Sequence, residues 1–225
     1  MMADMQAVWL TGLLAGMTTL LLAPLATPLA WWLARSPSSL RPIIEAVVAL
    51  PLVLPPTVLG FYLLVLLNPG SPMGAFWVSI TGASLTFSFS GLVFASLVYS
   101  LPFMVQPLHT AFRAVPAATL EAAATLGASS RDQLLNVALP LSRRGFLTGA
   151  ILTFAHTVGE FGVVLMMGGN IPGETRVLSI AIYEHVETLN YDAAHVLALG
   201  LLCFSFISLW VVYGVAGQRV EVLRG

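Results

Sequence analysis

The chain contains no lysine; all nine of its basic residues are arginines. A P-loop needs the lysine of its G-x-x-x-x-G-K-[ST] run to reach nucleotide phosphates, so this chain builds no ATP site of that type. It has a single cysteine, Cys203, inside an apolar run. One cysteine excludes an internal disulfide and any CxxC metal or redox pair, and Cys203 reads as a small hydrophobe. Charge of either sign is scarce. Only 8% of the 225 residues are charged, against about 25% in an ordinary soluble domain. Nine arginines and ten acids cannot cover a soluble body of this size. The net charge of −1 offers no basic stripe, which excludes nucleic-acid binding by phosphate neutralisation.

What remains is apolar: 58% of the residues are hydrophobic. A bilayer core of about 30 Å needs about 20 apolar residues of helix. Five stretches meet that requirement, at roughly 8–33, 43–67, 84–108, 145–168 and 193–217. The fold class expected is therefore all-α and integral to a membrane, one transmembrane domain over 1–225. The first stretch has only Asp4 ahead of it, lacks a positive leader region and is too long for a signal-peptide core. It reads as a retained span.

Arginine placement sets the expected orientation, because basic residues in short loops stay cytoplasmic. With five spans, Arg35, Arg41, Arg113, Arg131, Arg143, Arg144, Arg219 and Arg224 fall on one side and only Arg176 on the other. The N-terminus is then outside and the C-terminus inside. A six-span alternative would put Arg219 and Arg224 opposite Arg113. The uncharged stretch 68–83 reads as an external loop. In the segment 177–190, Leu178, Ile182, Val186 and Leu189 share one helical face. It is too short to span, and reads as an amphipathic helix at the outer interface or re-entering partway.

The second stretch carries Pro51, Pro55 and Pro56, and the third Pro102 and Pro107. A proline inside a helix removes a hydrogen bond and kinks it, and in lipid the freed carbonyl needs a neighbouring helix or a wet cavity. Pro55 and Pro56 read either as a packing kink or as part of a pathway. Glu160 lies roughly 22 Å into the fourth stretch, where a carboxylate normally faces a cavity or a partner. His156 is four residues earlier on the same face and could pair with it. Gly159 and Gly162 flank it and permit close helix approach or local unwinding. Glu160 reads as a structural hydrogen bond at a dimer interface, as part of a gate, or as a metal or proton-relay site. Two ligands on one helix are too few for a closed metal site. Arg176 is the one basic residue outside. It could receive an oxyanion, pair with Glu174, or make a docking contact; Asn170 and Glu174 stand with it as candidate contacts.

The loop 113–144 between the third and fourth stretches is long for a bundle connection. Pro116 suits a helix start, Glu121-Ala122-Ala123-Ala124 favours helix, and Gly127 suits its end. A second short apolar helix follows through Leu134, Leu135 and Val137 before Leu139-Pro140. Small alanines allow close approach of a partner, and Glu121 offers one charge. A plain interfacial connection is the other reading.

The run Glu121, Ala122, Ala123, Gly127, nine residues, then Val137, Leu139 and Pro140 resembles the E-A-A-x-x-x-G…I-x-L-P signature of ABC importer permease subunits. The one departure is valine for isoleucine. LPLVLPPTVLGFYLLVLL at 50–67, the GEFG of Gly159 to Gly162, and GNIPGETRVLSIAIYEHVE at 169–187 look like the molybdate branch of that family. The resemblance implies a type I importer permease fold and no enzyme activity in this chain. It implies a homodimer in a bacterial inner membrane that moves molybdate inward. In the family, the loop carrying the signature is a coupling helix docked on a separate ATP-binding subunit. Two such subunits hold the ATP and magnesium, and a periplasmic or lipid-anchored protein delivers the oxyanion. Tungstate or sulfate is the alternative cargo. An intramembrane metalloenzyme using His156 and Glu160 is the alternative of a different class, and an autonomous channel a third.

Overall fold

In lipid, backbone groups must find partners within their own segment or a closed barrel. The computed structural model describes residues 2–217, and among them the regular structure is helical, with no strand. In chain order the helices are α1 (Met2–Arg35), α2 (Arg41–Val53), α3 (Pro56–Leu67), α4 (Pro72–Thr81), α5 (Phe89–Arg113) and α6 (Ala117–Thr125). Then come α7 (Ser130–Asp132), a π-helical turn (Gln133–Ala138), α8 (Leu139–Leu141), α9 (Arg143–Gly159), α10 (Gly162–Gly168), α11 (Leu178–Glu187) and α12 (Tyr191–Gly217).

Three helices, α1, α5 and α12, are long and apolar enough to cross a membrane alone. The second and fourth expected spans are not single helices. The chain bends by 112° between α2 and α3 and by 61° between α9 and α10. The first bend has a covalent cause. Leu54 precedes a proline and is extended (φ −70, ψ 137). Pro55 is also extended and caps α3, while Pro56 opens its first turn, where a missing N–H costs nothing. Packing nonetheless carries the pair across the bundle. Ile44 and Val48 of α2 pack with Leu33, Leu108 and Phe112. Leu63 and Leu67 of α3 pack with Leu85, Leu92 and Met167. The five spans are thus α1, α2–α3, α5, α9–α10 and α12.

Two apolar clusters form the core, one toward each end of the bundle. Leu14, Leu92, Val163 and Ile180 belong to one; Leu22, Leu33, Met104 and Phe112 belong to the other. At the second end the guanidinium of Arg35 donates to the carbonyls of Phe112 and Val115, each at 2.7 Å. Those carbonyls lie at the C-terminus of α5, where a cation also meets the negative end of the helix dipole. This pins the ends of α1 and α5 together. Arg41, Arg113, Arg143 and Arg144 stand at helix ends on the same side, and Arg176 lies at the opposite one. Arg219 and Arg224 lie outside the described residues. Val196, Leu202, Phe206 and Trp210 of α12 are exposed, as expected of a surface solvated by lipid.

Two local expectations change. The stretch 68–83 is not a plain loop: it holds α4, started by Ser71, whose side chain accepts from the Gly74 N–H. The segment at 177–190 is helical as α11, but its first turn is buried on every side, from Leu178 to Ala181. Val186 and Leu189, expected on the buried face, are exposed. The turn is sunk among α1, α9 and α12, so packing rather than an interface decides its environment. The Leu178 N–H donates to Thr11 Oγ1 at 2.7 Å, which anchors that turn to α1.

Candidate functional site

The loop 113–144 forms the first candidate surface. Pro116 caps α6, and the helix closes in a Schellman motif. The Gly127 N–H donates to the Ala124 carbonyl at 2.9 Å and the Ala128 N–H to that of Ala123 at 3.0 Å. This geometry requires the positive φ of +89° that Gly127 adopts, one that L side chains rarely take. Ser129 then starts α7 with a reciprocal capping box to Asp132. The hydroxyl and N–H of Ser129 both donate to that carboxylate and hold its pKa below the usual value. The chain continues through the π turn, a feature common at functional sites, into Leu139 and Pro140.

Only Leu120 of α6 is buried. Glu121, Ala122, Ala124 and Thr125 face outward, and Leu126 is 89% exposed. Val137 and Leu139 pack beneath them on the apolar cluster at this end, while Pro140 is exposed. The signature residues therefore divide into an outward surface of small side chains and an inward anchor.

The second candidate lies within the spans. Glu160 and Phe161 interrupt the helix between α9 and α10, and the Glu160 backbone is extended (φ −69, ψ 134). Glu160 is buried and accepts from Ser96 Oγ at 3.0 Å through Oε2; its Oε1 has no partner. The Ser179 hydroxyl donates to the Glu160 carbonyl, so one residue ties the break to α5 and α11. His156 does not pair with Glu160. Its Nδ1 lies 2.9 Å from Ser100 Oγ, which also lies 3.0 Å from Thr157 Oγ1. The imidazole stacks on Phe103 with centroids 3.9 Å apart. The partners Ser96 and Ser100 were not singled out from the sequence. Their spacing of four mirrors that of His156 and Glu160 in antiparallel register.

A cavity of about 520 Å³ opens here, lined by Pro56, Tyr99, His156, Gly159, Glu160 and Gly162 among others. Four of the five residues singled out inside the spans therefore converge. Pro55 is outside the lining and acts through the bend. Gly162 permits the contact: a Cβ there would lie 2.7 Å from that of Pro56. A second cavity of about 620 Å³ lies toward the arginine end on the same faces of α5 and α9. Phe103 lines the second cavity and His156 the first, so their stack stands where the two adjoin.

The third candidate, around Arg176, differs from the sequence expectation. Arg176 is 7% exposed and does not pair with Glu174. Its Nε donates to Glu184 at 2.6 Å, and a terminal nitrogen lies 3.5 Å from Asp4. His185 Nε2 lies 3.0 Å from the same Asp4 oxygen. The guanidinium beside Glu184 holds that carboxyl below its usual pKa. Arg176 thus fastens α11 to the start of α1, and Asn170 and Glu174 remain exposed on the turn before it.

Comparison with known proteins fits this arrangement. The family described as binding-protein-dependent transport system inner membrane component matches residues 26–219. The molybdenum transport system permease protein ModB of Azotobacter vinelandii is 55% identical over 210 residues, 93% of each chain. ModB of Haemophilus influenzae is 36% identical over 187 residues, covering 83% of this chain and 82% of its own. Among solved structures, a bacterial alginate ABC transporter in complex with an alginate pentasaccharide-bound periplasmic protein superposes with a TM-score of 0.72. The match covers 97% of this chain and 78% of that one. At 18% identity that likeness is one of fold.

Proposed function

Because the chain belongs to the binding-protein-dependent transport system inner membrane components, as an ABC permease of the ModB type, we propose that it carries molybdate inward. It works as a homodimer in a bacterial inner membrane, with the arginine-rich end cytoplasmic and the N-terminus outside. Two separate ATP-binding subunits dock on the outward surface of α6, one on each copy, and hold the nucleotide and its magnesium. A binding protein delivers the oxyanion at the opposite end, where Asn170 and Glu174 are exposed. Closure of the nucleotide-bound subunits shifts the population of membrane-helix arrangements. The chain itself breaks and forms no covalent bond.

One observation carries the coupling part of this reading. The Glu121-to-Pro140 run presents small side chains outward from a helix whose end is fixed by Gly127, at the end of the bundle that holds the arginines. The cargo rests on the 55% identity to a molybdenum transport permease. The path follows the shared face of α5 and α9, past the Glu160 break. Pro56 and Gly162 let the bent spans touch there. The anion moves past Glu160 without resting on it, because a bare carboxylate repels it.

The test is complementation. A bacterial strain without its own molybdate permease is given this chain together with its ATP-binding subunit and binding protein. Molybdoenzyme activity at low external molybdate should return, with tungstate competing. Restoration of sulfate uptake alone would reassign the cargo.

A further inference from the structure

The cavity at the arginine end has an unusual lining for the interior of an apolar protein. Arg144 and Thr148 of α9 and Gln106 and Thr110 of α5 face into it in two i, i+4 pairs. Ser142, just before α9, lines its floor. Ser142 is 3% exposed and its hydroxyl has no hydrogen-bond partner. A serine preceding a helix ordinarily accepts from the first turn, but this one does not cap. No carboxylate lines the cavity. A buried hydroxyl left unpaired costs free energy, and one beside a cation and three more polar side chains fits an absent ligand that brings acceptors and negative charge.

We propose that this cavity is a binding site for a tetrahedral oxyanion dianion, a resting point on the cytoplasmic side of the path, with Arg144 supplying the charge. A guanidinium presents paired donors that match two oxygens of such an anion. The Ser142, Thr110 and Thr148 hydroxyls and the Gln106 amide donate to the others, directly or through water. At about 620 Å³ the cavity holds the anion with part of its hydration, which suits release more than tight capture. The Phe103–His156 stack separates it from the cavity that holds Glu160, so the anion gains its cation only after passing the acid. The identity of the anion as cargo rests on the function proposed above.

The experiment is site protection in the whole assembly of permease and ATP-binding subunits, in zwitterionic vesicles without nucleotide. Ala114, which lines the mouth of the cavity, is changed to cysteine in a Cys203→Ala background, and its labelling by a charged thiol reagent is timed. Molybdate, tungstate and sulfate should each slow labelling. Arg144→Gln should raise the half-protecting concentration by about tenfold or more, and Ser142→Ala by several-fold. Arg144→Lys, which keeps the charge without the fork, should fall between. Protection by no oxyanion, or protection unchanged in both Arg144→Gln and Ser142→Ala, overturns the site. Labelling blocked only after anionic lipid is added assigns the pocket to a lipid headgroup and also overturns it. Uptake by the parent assembly is measured in parallel. Uptake of molybdate without protection rejects the site and leaves the cargo standing. Arg144-dependent protection without uptake of any oxyanion does the reverse.

Discussion

Gly127 offers a substitution whose effect separates backbone conformation from contact. A Cβ built on it meets nothing within 4 Å, so a side chain there clashes with no neighbour. The whole penalty is the positive φ of +89°. For an L residue that region costs roughly 1–2 kcal/mol, most for a β-branched one. Losing the geometry releases the Gly127-to-Ala124 and Ala128-to-Ala123 bonds and frays the end of α6. A cost of 1–2 kcal/mol is a factor of about 5–30 in population. The docking-competent fraction of α6 falls by up to that factor, and the apparent dissociation constant for the ATP-binding subunit rises in step. Gly127→Val should show this in a binding titration with the solubilised permease, at nearly unchanged melting temperature of the spans. Gly127→Asn, which tolerates the left-handed region, should stay within about twofold of the parent. Equal damage from Val and Asn, or none from Val, would refute the argument.

Ser96→Ala strips the buried Glu160 carboxylate of its side-chain hydrogen bond. It should lower stability by about 1.5–3 kcal/mol, read as a fall in melting temperature in detergent; Glu160→Gln, which can still accept from Ser96, should fall less. The Arg176–Glu184 pair sets a pH dependence. The Glu184 pKa is lowered in the folded protein by the Arg176 hydrogen bond, so its contribution is complete above the ordinary carboxyl value and fades only as pH falls through the lowered one. The melting-temperature gap between the parent and Glu184→Gln should hold from neutral pH to about 5 and close below about 4. Orientation is read by labelling single cysteines in a Cys203→Ala background: Pro72→Cys should react from outside and Ser130→Cys from inside, and the reverse pattern sinks the assigned sidedness.

The spans were legible because lipid demands a long apolar helix, and length survives in sequence. Their breaks were only half legible. Pro55 and Pro56 announce a bend at α2–α3, but not its 112°, which tertiary packing sets. The α9–α10 break has no proline; its signals are Gly159 and Gly162 around a charge. The loop 113–144 could be read nearly whole, since capping and glycine geometry act over a few residues. The partners of Arg176 could not, because Asp4 stands 172 positions away and Glu184 lies across a turn. His156 and Glu160 share a helical face, and spacing invited pairing them. Facing serines on α5 supplied better-placed partners to each, an outcome visible only when two helices are laid side by side.

Accumulation of labelled molybdate in reconstituted vesicles tests the central claim most directly. The chain is reconstituted with its ATP-binding subunit, and binding protein and ATP are supplied on opposite faces. Uptake should require both, stop with a non-hydrolysable nucleotide, and fall in Gly127→Val along with subunit docking. Molybdate that crosses without the ATP-binding subunit, or that never accumulates in the complete assembly, contradicts the reading of this chain as the membrane half of an ATP-driven importer.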